Sequence, residues 1–301
     1  MAIRACGPST VFMIRVAICA PSAAFPRELA AQVQDVAAGF GDVELHFHDQ
    51  CFAEQGHFAG PDELRLAALV ECANDPMFDA VWFARGGYGS NRIASDAIAR
   101  MGPAAHNKLW LGSSDGGYLL GALYRAGIGR PVHAPMPLDV RRDNGDQAIG
   151  CVLAWLSGDL GRLEPHLDGR PTVAFNLMTL AMLSGTPLMP DLSGHVVMVE
   201  EVSEYLYAVD RLFFHVTEAL PKSILGLRLG RISDIPENDR DFGMTAEEIA
   251  RHWCERSGMA YLGEADIGHD AGNRIVPFGR TDRDAPLGMA GFALGKPRSW
   301  Q

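Results

Sequence analysis

The stretch LWLGSSDGGYLL, residues 109–120, decides how the rest of the chain is read. It opens on an apolar run, Leu109-Trp110-Leu111, turns through Gly112-Ser113-Ser114-Asp115-Gly116, and resumes as an apolar helix start. A strand, a tight polar corner and a helix in so short a span form the core of a βα unit. The corner fits G-x-S-x-G, whose middle serine, Ser114, would stand exposed on a sharp turn with a helix N-terminus behind it. A serine hydroxyl attacks only when a base takes its proton and donors await the oxyanion. The plain alternative is a strand ending at Gly112-Ser113, with Ser114 or Asp115 capping the next helix. Taken alone, the corner favours that alternative.

Outward from the corner, strands and helices alternate. Strands are predicted over 14–20, 43–48, 79–84, 109–113 and 130–135, and helices over 26–38, 61–73, 91–101 and 116–126. Such alternation implies an α/β fold with a parallel sheet covered on both faces. Ligands bind such sheets beyond the carboxyl ends of the strands. FARGGYGS (83–90) and GSSDGG (112–117) both fall at such ends. The second half is less regular. A helix is expected over 145–157 and a linker over 158–171. Beyond the linker come a strand over 195–201, a long amphipathic helix through 207–220 and a strand over 224–232. A helix over 245–257 opens on a Thr245/Glu248 capping box, and short strands surround 266–279. The domain boundary is placed near 160, giving domains 13–160 and 161–301.

The 301 residues are 48% apolar, enough for a sizeable core. A net charge of −11, spread along the chain, argues against nucleic acid as partner, since phosphate binding needs a basic patch. None of the six cysteines lies in a C-x-x-C pair, and scattered cysteines in a chain of this length read as reduced and cytoplasmic. No apolar run reaches membrane-spanning length. Arg15 interrupts the apolar stretch near the start, which argues against a signal peptide, and residues 1–12 read as an extension before the first strand.

Two further residues bear on the serine. VMVEEVSEYLYAVDRL places Glu200 at the end of an apolar strand, and DIGHDAGNRIVPFG places His269 in a glycine-rich loop. Each is weak by itself, since strand-end glutamates are usually solvated and loop histidines usually exposed. The chain order is serine, acid, histidine. FARGGYGSNRI, LGSSD, HAPM, FNLMTLAMLSGTPLMPD, VEEVSEYLYAVDR and IGHDAGNRIVPFG, in this order, resemble the LD-carboxypeptidases, serine peptidase family S66, from about Arg15 to Gly279. The resemblance implies a Ser114–His269–Glu200 triad and an oxyanion hole from the N–H groups of Gly87 and Asp115. It implies a flavodoxin-like N-terminal domain and a smaller C-terminal α+β domain, with the site between them. It also implies a homodimer without metal or organic cofactor, acting on a murein-derived peptide. The sequence departs from the family pattern in three places. Ser113 stands where an aromatic residue is usual, Ala134 replaces the glycine of H-G-P-M, and Ala174-Phe175 replace two glycines before Asn176.

Other signals carry less. HFHD offers His46, His48 and Asp49 as metal ligands, but a third histidine at the expected spacing is missing, and plain sheet-surface histidines are the better reading. RGGYGS is not a full G-x-G-x-x-G, and GSSDGG lacks the lysine of a phosphate loop. Arg85 could hold a substrate carboxylate through its fork of donors, or pair with a structural acid. The methionines at 178–189 suit helix packing. The leading expectation is a cytoplasmic serine carboxypeptidase that releases terminal D-Ala from a murein tetrapeptide. The alternatives are a microcin C-type immunity peptidase, a generic α/β-hydrolase, and a small-molecule binding protein on the same scaffold.

Overall fold

The computed structural model describes residues 13–279. Residues 1–12, including the proposed extension and Cys6, and residues 280–301 at the end of the second predicted domain lie outside the described residues. The first half alternates as expected: β1 (Ile14–Cys19), α1 (Arg27–Ala37), β2 (Val43–Phe47), α2 (Asp62–Asn74), β3 (Ala80–Phe83), α3 (Ser90–Arg100), β4 (Leu109–Gly112), α4 (Gly117–Ala126), β5 (Arg130–His133) and α5 (Gly145–Leu156). The second half follows with β6 (Thr172–Asn176), α6 (Leu177–Leu183), β7 (Val196–Val202), α7 (Leu206–Ala219), β8 (Gly226–Ser233), α8 (Ala246–Ser257), β9 (Tyr261–Glu264) and β10 (Val276–Pro277). The capping box forms: Thr245 Oγ1 accepts from Glu248 N–H, while the Glu248 carboxylate accepts from Thr245 N–H at 2.7 Å.

The first sheet runs β10-β5-β4-β3-β1-β2. Its first five strands are parallel in the order 2-1-3-4-5, the flavodoxin-like arrangement. Alternate side chains feed opposite faces, as the two-residue strand period requires. Val16, Ile18, Trp82 and Leu111 join a core under α1 and α5, whereas Ala17, Val81, Phe83 and Trp110 join one under α2, α3 and α4. The second sheet, β6-β7-β8-β9, is parallel throughout. Val173, Val197 and Leu227 on one face meet α6, α7 and α8, while Ala174 and Met198 on the other belong to the same core as Trp82 and Leu111. β10 then leaves the second half and pairs antiparallel with β5, Val276 opposite His133. Its Pro277 fits an edge strand, where a missing N–H costs little.

Candidate active site

The serine corner is built around the Phe83 ring. A Cβ on Gly112 would lie 2.5 Å from Phe83 Cδ2, and one on Gly116 would lie 2.9 Å from the same atom. Both glycines of G-x-S-x-G are therefore required by one aromatic side chain on the neighbouring strand. Between them the two serines differ. Ser113 is extended at φ −154°, whereas Ser114 has φ 54°. Positive φ in a non-glycine residue is strained, and such strain gathers at functional corners. The cap-only alternative leaves this strain without a purpose. Gly86 is pressed against the corner from β3: a Cβ there would meet Ser114 Cβ and Oγ, both at 2.9 Å, and Asp115 N at 3.5 Å. The next residue, Gly87, takes φ 111°, and its N–H finds no acceptor among the described residues. The Gly86-Gly87 backbone thus lies beside the serine hydroxyl and the Asp115 N–H.

Asp115 itself is an anchor. Its buried carboxylate accepts from Ser22 Oγ at 2.5 Å and from Ser90 N–H at 2.8 Å, and its carbonyl accepts from Ser90 Oγ. These bonds tie the ends of β1, β3 and β4 together where the strand order reverses, the place where such sheets bind ligands. Buried Arg65 supports the same loops through the carbonyls of Pro21 and Gly89 and an ion pair with Asp62.

The paired glutamates divide by the strand period. Glu200, fully buried, accepts from His269 Nδ1 at 2.5 Å. Glu201 faces the other way and holds the β6–α6 turn, accepting from Asn176 Nδ2 at 2.6 Å and Met178 N–H at 2.8 Å. Room beside Glu200 comes from Gly230 on β8, where a Cβ would lie 2.9 Å from Glu200 Cβ and 2.8 Å from the Ile267 carbonyl. Arg231 braces the His269 loop from both sides, with Nη1 on Asp266 at 2.6 Å and Nε on Asp270. Burial alone would push the imidazole down, but the charge and hydrogen bond of Glu200 outweigh it and raise His269 above the ordinary histidine range.

The serine corner and the acid–histidine pair lie at the same end of the molecule. Thr179 Oγ1, in the first turn of α6, donates to the Ser114 carbonyl at 3.2 Å, and Asn176 just before it stands in register with Glu200. No hydrogen bond joins Ser114 Oγ to His269 among the described residues. A Gly-rich strand-to-helix serine, an imidazole oriented through Nδ1 by a buried carboxylate, and loop N–H groups beside the hydroxyl are together equipped for acyl transfer.

Comparisons with known proteins identify the family. The LD-carboxypeptidase N-terminal domain model matches residues 16–134, and the LD-carboxypeptidase C-terminal domain model matches residues 171–283. The chain belongs to the LD-carboxypeptidase family. It is 27% identical to the murein tetrapeptide carboxypeptidase of Pseudomonas aeruginosa, over 89% of this chain and 92% of that protein. The muramoyltetrapeptide carboxypeptidase of Oxalobacter formigenes superposes with a TM-score of 0.73 at 24% identity, covering 87% of this chain and 93% of that one. The microcin C7 self-immunity protein MccF superposes with a TM-score of 0.71 at 16% identity, covering 90% and 92%. These likenesses establish a shared fold, and the family assignment makes the chain a serine peptidase with carboxypeptidase activity.

In this LD-carboxypeptidase, Arg85 lines a cleft of about 660 Å³ together with Ala23, Phe25, Arg27, Phe52 and His57. Its Nη1 donates to the Ala24 carbonyl at 3.0 Å, and no carboxylate pairs with it among the described residues. Burial, with Arg141 nearby, lowers its pKa, as expected of a cation without a counter-charge. His46 and His48 do not act as a pair: His46 contacts Glu44 at 3.1 Å, and His48 Nδ1 caps the next turn by accepting from Gln50 N–H. The sequence alone did not point to Gly86, Gly230 or Arg231. Their roles are spatial or long-range, and no local pattern announces them.

Proposed function

We propose that this carboxypeptidase cleaves an L,D-amide bond and releases terminal D-Ala from a murein tetrapeptide. The observation that carries the reading is the buried Glu200–His269 hydrogen bond of 2.5 Å on the second sheet, at the end where Thr179 meets the strained Ser114 corner of the first. With Nδ1–H donated to Glu200, the lone pair of His269 sits on Nε2 and takes the Ser114 proton as Oγ attacks the carbonyl. The oxyanion is received by the N–H groups of Gly87 and Asp115. His269 returns the proton to the leaving amine as the C–N bond breaks, leaving an acyl ester on Ser114. Water, deprotonated by His269, then releases the shortened peptide and regenerates Ser114. Arg85 holds the free carboxylate of the leaving residue. The nucleophile belongs to the unit 13–160, and the acid and histidine to 161–301. The chain acts in the cytoplasm as a homodimer. The named activity of the Pseudomonas aeruginosa relative supports the substrate.

The test is incubation with murein tripeptide, tetrapeptide and pentapeptide, followed by mass spectrometry. The expected product is tripeptide plus D-Ala from the tetrapeptide. Equal cleavage of an all-L tetrapeptide would overturn the assignment. Cleavage only of an aminoacyl sulfamoyl nucleotide would move the microcin-type reading ahead.

A further inference from the structure

The loop that carries His269 runs on into β10, which pairs with β5, and a buried side-chain contact ties the loop itself to the end of that strand. His133 ends β5, opposite Gly112 on β4, two residues before Ser114. It is 1% exposed, and its Nε2 lies 3.1 Å from Asn273 Oδ1. Asn273 is itself 3% exposed, and the same oxygen accepts from Gly268 N–H at 3.2 Å. That backbone donor fixes which end of the amide faces inward, so the His133 proton belongs on Nε2. Burial pushes His133 below the ordinary histidine range, which leaves it a neutral one-proton donor even with Glu200 pulling the other way. One oxygen thus gathers the backbone just before His269 and a side chain from the nucleophile's sheet. The brace from Arg231 is internal to the second half of the chain and says nothing about where the loop stands relative to Ser114.

We propose that His133 is a positioning residue that, through Asn273, sets the approach of the His269 imidazole to Ser114. The inference rests on the catalytic reading above. Misplacing a reacting group by about 1 Å costs on the order of a hundredfold in rate. His133 touches neither substrate nor nucleophile, so its loss falls on kcat rather than KM.

The test compares His133→Leu, His133→Gln, Asn273→Leu and the double variant His133→Leu/Asn273→Leu. Glutamine places its amide nitrogen the same number of bonds from Cα as histidine Nε2, so it can still donate to Asn273. Each leucine variant should lower kcat on the tetrapeptide by roughly ten- to a hundredfold, with KM within about twofold. His133→Gln should recover most of the loss, and the double variant should lose no more than either single one, as expected for two ends of one contact. Amide hydrogen exchange over residues 266–273 should quicken in the leucine variants and stay slow in His133→Gln. No rescue by glutamine, additive losses, or a changed KM with unchanged kcat would each overturn the proposal. If His133→Leu does not fold, Asn273→Leu against His133→Gln makes the same comparison. If the wild-type protein leaves the tetrapeptide intact, the substrate reading fails by itself. The exchange measurement then still decides the tether, and a loop equally protected in wild type and Asn273→Leu would overturn it.

Discussion

Of the two adjacent serines, only Ser114 carries a backbone cost. Its φ of 54° holds the hydroxyl beside the Gly86-Gly87 backbone, whereas Ser113 is ordinary extended chain. Ser114→Ala should abolish turnover and Ser113→Ala should keep most of it, as steady-state assays will show. Ser114→Gly should be equally inactive but more stable than Ser114→Ala by about 1 kcal/mol, because glycine accepts positive φ without strain. Equal denaturation midpoints for the two would remove strain from the account. His269 gives a second prediction. In its proposed role of base it must be neutral, and its raised pKa places the rising limb of kcat/KM above about pH 6.5. Glu200→Gln removes the upward pull and leaves burial, so the limb should move to lower pH while the maximum falls by about 10³- to 10⁴-fold. The same raised pKa stabilises the fold fully below about pH 6.5, and that contribution fades as pH rises through the folded value. Arg85→Ala should cut kcat/KM on the tetrapeptide by roughly ten- to a thousandfold, the half-exposed setting discounting the upper figure. A C-terminally amidated substrate should lose less, and an equal loss on both would make Arg85 structural. Ser114, Glu200 and His269 become candidates in the sequence only when the family resemblance joins their motifs, since each is weak alone. Gly86 and His133 also lie in family motifs, but their roles were not legible, because what matters there is an absent side chain in one case and a partner 140 residues away in the other.

At the scale of elements, the two-residue period of β7 sorts Glu200 from Glu201. Glu201→Gln should therefore lower stability, since it weakens the acceptor for Asn176 and Met178, while sparing chemistry. Thermal melts and single-turnover assays on Glu200→Gln and Glu201→Gln separate the two roles, and a larger catalytic loss in Glu201→Gln would reverse the assignment. The strands and helices of the first half were readable to within a residue or two, because a parallel strand buried on both faces and an amphipathic helix each leave a plain apolar pattern. The departures from the family pattern also acquire a place. Phe175 packs against Phe278, with ring centroids 5.1 Å apart, and beneath Gly117 at the start of α4. The larger side chain thus fills space under α4. Ala134 is wholly buried in the first core. What no periodicity could supply was β10, whose two residues are too few to show a period and whose partner strand lies far back in the chain.

On the scale of the whole molecule, one apolar core takes in residues from both sheets, from Val16 and Trp82 to Ala174, Met198 and Ile275. Unfolding in urea should accordingly give a single transition, with fluorescence and circular dichroism midpoints coinciding. Two separated transitions would show that the halves are stable alone. The return of β10 to β5 also changes what a fragment of this protein can be. Topologically the second sheet is an insertion, entered after β5 and left before β10, so the chain crosses between the two bodies twice. One cut in 158–171 would leave the pieces still laced together by strand pairing, whereas expressing 13–160 alone would strip β5 of its neighbour and present a raw hydrogen-bonding margin to other chains. A split version of the enzyme is therefore best made as two co-expressed pieces that reassemble, with β10 as the built-in clasp.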